Sequence, residues 1–174
     1  IIETTNHFRC IDLIIDRAEE RLSEKYIKEL HYILKSGTSD HRKDWFAVGD
    51  YKRLPNEVGG ILTTPPELVH YEVKTLLAEY NAKKSKTFED IIDLHQRFES
   101  IHPFQDGNGR TGRMILFRES LKYEEVDPFI ILDDDRTVYI EALKEFRENG
   151  TVSQLTELLQ KEAEIYYKQC EYFM

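Results

Sequence analysis

The chain has 174 residues, 40% of them hydrophobic and 33% charged, with only 8 Gly and 5 Pro. That composition excludes collagen-like, low-complexity and largely disordered chains, because enough apolar surface remains to close one core. A formal net charge of −9 at pH 7 makes the body a poor platform for nucleic acid or anionic lipid, so a phosphate site has to be local. The two cysteines, Cys10 and Cys170, stand at opposite ends without metal-like spacing. That favours a reducing compartment and a cytoplasmic protein. No apolar run approaches the roughly 18 residues of a membrane span. The chain opens at Ile1 inside a helical pattern, so further residues are expected upstream.

In chain order, Phe8, Ile11, Ile14, Ile15, Ala18 and Leu22 recur at helical spacing and predict a first amphipathic helix. Ser23 is a candidate N-cap for a second, through Ile27, Leu30 and Leu34 to a stop at Ser36-Gly37. Helical periodicity lapses over residues 38–64, where a loop and a small β-hairpin turning near Gly59-Gly60 are predicted. Pro65-Pro66 starts a helix that runs to about Asn81. Thr87, with Asp90 in capping-box position, opens another through Ile91, Leu94, Phe98 and Ile101, and His102-Pro103 breaks it. Met114 to Tyr123 look helical, Phe129 to Leu132 read as an extended or buried apolar run, and helices at about 135–148 and 151–170 flank Asn149-Gly150. The expectation is a single mainly α domain over residues 1–174.

The stretch with chemistry in it is His102-Pro103-Phe104-Gln105-Asp106-Gly107-Asn108-Gly109-Arg110-Thr111-Gly112-Arg113. An imidazole fixed at a helix end can act as a general base near neutral pH. Asp106 is a hard oxygen ligand of the kind Mg²⁺ takes beside substrate phosphates. Gly107 and Gly109 let the backbone approach an anion where the next helix begins and its free N–H groups gather. Asn108 can donate to an oxygen, and Arg110 and Arg113 offer forked donors from one helix face. Together these parts suit attack of a hydroxyl on a nucleotide phosphate.

Plainer readings exist for each part: a helix-end histidine, an Asp-Gly-Asn-Gly turn, a solvated arginine face. The same glycines also satisfy G-x-G-x-x-G, with Asp133 about twenty residues on, as in dinucleotide-binding folds. That fingerprint needs a buried strand leading into the glycines. Gln96 to Pro103 is instead helical, charged and broken by proline, which discounts a nicotinamide-type oxidoreductase.

Residues 102–113 resemble the signature of Fic-domain proteins, H-x-F-x-[DE]-G-N-G-R-x-x-R, with all eight specified positions matched. The resemblance extends from about Asn6 to the last helix. It implies a Fic-type helical bundle with a β-hairpin flap near residues 55–64 and, for most members, transfer of AMP from ATP to a Ser, Thr or Tyr hydroxyl of a target protein. By that resemblance His102 is the base, Phe104 anchors the loop, and Asp106 holds Mg²⁺ (or Mn²⁺). Gly107, Asn108 and Gly109 form the anion hole, with the Asn108 side chain on the α-phosphate. Arg110 holds the outer phosphates and Arg113 the γ-phosphate. Gly59 and Gly60 lie in the flap that lines the target, and Tyr139 corresponds to an aromatic near the adenine.

The expected partners are therefore ATP and a protein target, with room for self-modification and for oligomers, and with neither nucleic acid nor membrane. Many Fic proteins carry an inhibitory glutamate in [ST]-x-x-x-E-[GN] that pairs with the second motif arginine. Here that element is expected upstream of Ile1; Ser153 to Leu158 match it only in part, around Glu157, without the final Gly or Asn. The alternatives are a nucleotide-binding interaction module without transfer, and a de-AMPylating hydrolase.

Overall fold

Ser23 and Thr87 act as the sequence suggests, each closing a helix start with its own side chain. Ser23 accepts the Tyr26 N–H at 3.2 Å and opens α2 (Glu24–Lys35). Thr87 and Asp90 form a reciprocal capping box at the head of α4 (Phe88–Ile101). The computed structural model describes residues 2–123, 128–131 and 133–171. The other helices there are α1 (Ile2–Asp16), α3 (Pro66–Ala82), α5 (Asn108–Lys122), α6 (Arg136–Asn149) and α7 (Ser153–Glu171). The two short strands, β1 (Glu57–Val58) and β2 (Ile61–Leu62), pair antiparallel with Val58 opposite Ile61. Gly59 and Gly60 turn between them at φ +60° and +78°, the doubly left-handed turn that matches strand twist.

α4 and α5 pack side by side at the centre, α1 lies along α2, and α3 covers the other side of α4. One apolar cluster joins α1 to α5 around Leu30, Leu34, Val73, Phe98 and Phe104. A second joins α4 and α5 to α6 and α7 around Ile91, Leu116, Tyr139, Leu155 and Leu159. Phe129, 1% exposed, plugs that second cluster from the segment between α5 and α6. The predicted apolar run there is thus buried loop at Phe129, while Leu132 lies outside the described residues.

The first helix differs from its predicted face. α1 buries Asn6, Cys10 and Ile14, one every four residues, while Phe8 and Ile15 are exposed. Asn6 decides the rotation: its amide donates to the carbonyls of Leu34 and Ser36, at 3.1 and 2.7 Å, satisfying the end of α2. Helix α1 also ends at Asp16, so Ala18 and Leu22 belong to the connection, with Leu22 buried in the core. Helix α5 begins at Asn108, at the glycine turn, because Gly107 takes a left-handed N-cap conformation.

Candidate active site

The loop between α4 and α5 faces a cavity of about 560 Å³ whose wall includes His102, Asp106, the Gly107–Arg110 turn, Arg113 and Tyr139. His102 caps α4 in the left-handed region at φ 51°, the one positive-φ residue other than glycine among those described. There its Nδ1 meets the Glu99 carbonyl at 3.3 Å. A carbonyl can only accept, so Nδ1 carries the proton and the neutral ring keeps Nε2 as its acceptor. Burial, and the charges of Lys52 and Arg147, push the His102 pKa down to about 4. At pH 7 the ring is therefore neutral and able to take a proton.

Phe104 anchors the loop, 0% exposed and stacked on His31 with ring centroids 3.9 Å apart. His31 reaches the same loop by hydrogen bonding. Gly49 N–H donates to its Nδ1 (3.0 Å), so Nε2–H donates to the Asp106 carbonyl, also at 3.0 Å. Burial pushes this ring down to about 4 as well, and it stays neutral.

Asn108 also holds the loop itself. Its side chain accepts the Phe104 N–H and donates to the Phe104 carbonyl, both at 2.7 Å, and the residue is 1% exposed. One of the two amide hydrogens is thus engaged within the loop. What the turn offers an anion is backbone: the first N–H groups of α5, which lack partners inside the helix.

The charged groups are more connected than the sequence indicated. Lys35, 1% exposed on α2, sends Nζ to Asp106 Oδ2 (2.6 Å), Asp40 Oδ2 (2.6 Å) and Glu3 Oε1 (3.1 Å). Glu3 and Asp106 both also pair with Arg110. Burial alone would raise the Asp106 pKa, but the Lys35 hydrogen bond and charge hold it below the ordinary carboxylate value. Asp106 is 54% exposed at the cavity, and no cluster of three or more His, Cys, Asp or Glu able to hold a metal occurs among the described residues. One accessible carboxylate beside an anion-binding helix end fits Mg²⁺ shared with nucleotide phosphates and does not fit a metal held by protein alone.

Behind the arginines lies a buried polar layer. The Tyr139 hydroxyl donates to His95 Nε2 at 2.7 Å, while His95 Nδ1–H donates to the Gly112 carbonyl at 3.2 Å. Burial pushes His95 down to about 3. Tyr139 is 3% exposed, with its hydroxyl bonded to His95 and Arg113 Cζ 5.7 Å from its ring centre. Burial pushes the Glu99 carboxyl up to about 7 against the pull of Arg113 and Arg147. A Cβ at Gly112 would collide with this carboxyl and crowd Phe98, so glycine suits the point where α5 crosses α4.

Gly59 and Gly60 stand at the hairpin tip and are not part of the cavity wall. Glu157 is exposed on α7. Sequence reasoning missed Lys35, Glu3, Lys52 and Arg136, the last a further cation on the cavity wall. The one local hint was His31 and Lys35 four apart on a single helix face.

The family model described as Fic/DOC matches residues 21–118. A protein adenylyltransferase Fic of Drosophila mojavensis is 26% identical over 138 residues, covering 75% of this chain and 27% of the relative. A probable protein adenylyltransferase of Aquifex aeolicus is 35% identical over 89 residues, covering 51% of this chain and again 27% of the relative. The chain thus spans about a quarter of the length of these curated relatives. In fold it is similar to a Fic-domain signaling protein of Bacteroides thetaiotaomicron, with TM-score 0.77 and 24% identity over 93% of this chain and 69% of that one. Fic-1 of C. elegans gives TM-score 0.74 at 20% identity, over 97% of this chain and 49% of that one.

Proposed function

Because this chain belongs to the Fic/DOC family, we propose that it transfers AMP from ATP to a hydroxyl of a protein target. The observation that carries the reading is the pairing of a neutral His102, with Nε2 as its acceptor, with the amide-lined head of α5 and its two arginines on one cavity. In the proposed reaction His102 Nε2 takes the proton as the target oxygen bonds to the α-phosphorus and pyrophosphate leaves. The N–H groups of Asn108, Gly109 and Arg110 receive the α-phosphate, and Arg110 and Arg113 hold the outer phosphates in line with the attack. Mg²⁺, held by Asp106 and the phosphates, would neutralise charge on the departing pyrophosphate.

The relatives' names support the reading, since the Drosophila relative is named a protein adenylyltransferase and the Aquifex one a probable protein adenylyltransferase. ATP labelled at the α-phosphate, supplied with Mg²⁺ and a panel of proteins, tests the reading. Covalent label in a protein, absent with the His102→Ala variant, is the expected result. Reversible nucleotide binding with no covalent product would replace it with a binding module.

A further inference from the structure

Lys52 precedes the hairpin and is 3% exposed, yet the oxygens its ammonium meets are uncharged. They are Asn56 Oδ1 and Thr63 Oγ1, each at 2.7 Å, and the Ile101 carbonyl at 3.3 Å. Asn56 leads into β1 and Thr63 follows β2, so one ammonium group holds both arms of the hairpin. Ile101 is the residue before His102, and the Lys52 backbone N–H donates at 2.9 Å to Pro103, the residue after it. Two more bonds tie the same segments: Asn56 Nδ2 to the Phe104 carbonyl at 2.9 Å, and Leu54 N–H to Gln105 Oε1 at 3.2 Å. Burying an ammonium is costly unless it organises what surrounds it, and here the hairpin root and the catalytic loop share it.

We propose that Lys52 is a positioning residue that fixes the hairpin against His102, so that a protein lying along the hairpin presents its hydroxyl to the imidazole. This rests on the adenylyl-transfer reading for its consequence, but not for its geometry. A displacement of the hairpin by about 1 Å would cost target attack about 10²-fold while leaving the phosphate cradle in place.

The test uses Lys52→Met, Lys52→Arg and Thr63→Val in the whole chain. For Lys52→Met, kcat/KM for a protein target should fall about 10²-fold while the Kd for ATP changes less than about threefold. Lys52→Arg should restore most of the loss, and Thr63→Val, which keeps the ammonium but removes one arm's acceptor, should lose about tenfold. Amide exchange at Val58–Leu62 should quicken in Lys52→Met with α2 and α5 unchanged. Target transfer within twofold of wild type in Lys52→Met, or ATP affinity falling in parallel with transfer, overturns the proposal. If Lys52→Met does not fold, undiminished target transfer in Thr63→Val overturns it. A wild-type chain that labels no protein overturns the adenylyl-transfer reading instead; unchanged hairpin exchange in Thr63→Val would then overturn the Lys52 assignment separately.

Discussion

Lys35 Nζ lies 2.6 Å from Asp106 Oδ2, joining α2 to the loop between α4 and α5 across 71 residues of sequence. Burial alone would lower the Lys35 pKa, but the hydrogen bonds it donates to Asp106, Asp40 and Glu3 carry it above the ordinary lysine value. The ammonium therefore stays charged at any working pH. It fixes the orientation of Asp106, the one carboxylate lining the cavity among the described residues.

Replacing Lys35 by Met should leave three carboxylates facing one another. Breaking a buried pair from one side costs about 3–5 kcal/mol, and the partly exposed partners, with Arg110 and Lys43 still beside them, reduce that to about 2–4 kcal/mol. A urea midpoint lowered accordingly, with Lys35→Arg losing less, is the expected result. An unchanged midpoint for Lys35→Met would show that water already compensates these charges.

His102 should be probed with Asn as well as Ala. At φ 51° histidine already bears the cost of a side chain in the left-handed region, and asparagine tolerates that region better than alanine does. His102→Asn should thus keep wild-type stability and ATP affinity and lose about 10²–10⁴-fold in transfer. Retained transfer in that variant would remove the base assignment.

Metal dependence can be read through Asp106. Transfer should stop in excess chelator and return with Mg²⁺ or Mn²⁺. For Asp106→Asn, the metal concentration giving half-maximal transfer should rise at least the roughly 10–100-fold that disturbing even an outer-shell group causes. The same half-maximal concentration in both proteins would detach Asp106 from the metal.

Acid should destabilise the fold in a definite window. His31 and His102, with pKa values down to about 4, and His95, down to about 3, are neutral in the folded chain but protonate near 6.5 when unfolded. Unfolding near pH 5.5 therefore takes up protons, and stability contributed by these rings is lost as pH falls from about 6.5 toward 4. Glu99, raised to about 7, runs the other way, being protonated in the fold and ionised in the unfolded chain over the same range. From these four groups the net uptake near pH 5.5 is about two protons, a slope of about 2–3 kcal/mol per pH unit. Denaturant melts at pH 5 and 6 measure it; a flat profile would mean that the rings are hydrated in the folded state.

The elements whose physics is local were readable from the sequence. Ser23, the Thr87–Asp90 box and the Gly59-Gly60 turn each act through neighbours within three or four residues, so their residue types sufficed. The motif from His102 to Arg113 was readable for the same reason, since loop and helix start are contiguous. What escaped was set by distant partners. Periodicity offered Phe8 to the core, but the bonds from Asn6 to the end of α2 set the rotation of α1 and left Phe8 outside. Lys35 and Lys52 looked like ordinary lysines because their acceptors lie up to 71 and 49 residues away. The bonds from Asn108 to Phe104 escaped too, because they depend on how the loop closes.

That closure by Asn108 has a thermodynamic consequence. Its side chain answers both the N–H and the carbonyl of Phe104, as a paired strand would, so the turn between α4 and α5 is cast before a nucleotide arrives. Little chain entropy remains to be lost there when phosphates dock. Nucleotide association should then be a single fast phase with a small heat-capacity change. Asn108→Ala should convert it into a slower, two-phase event, with the ordering of the loop appearing as a separate step.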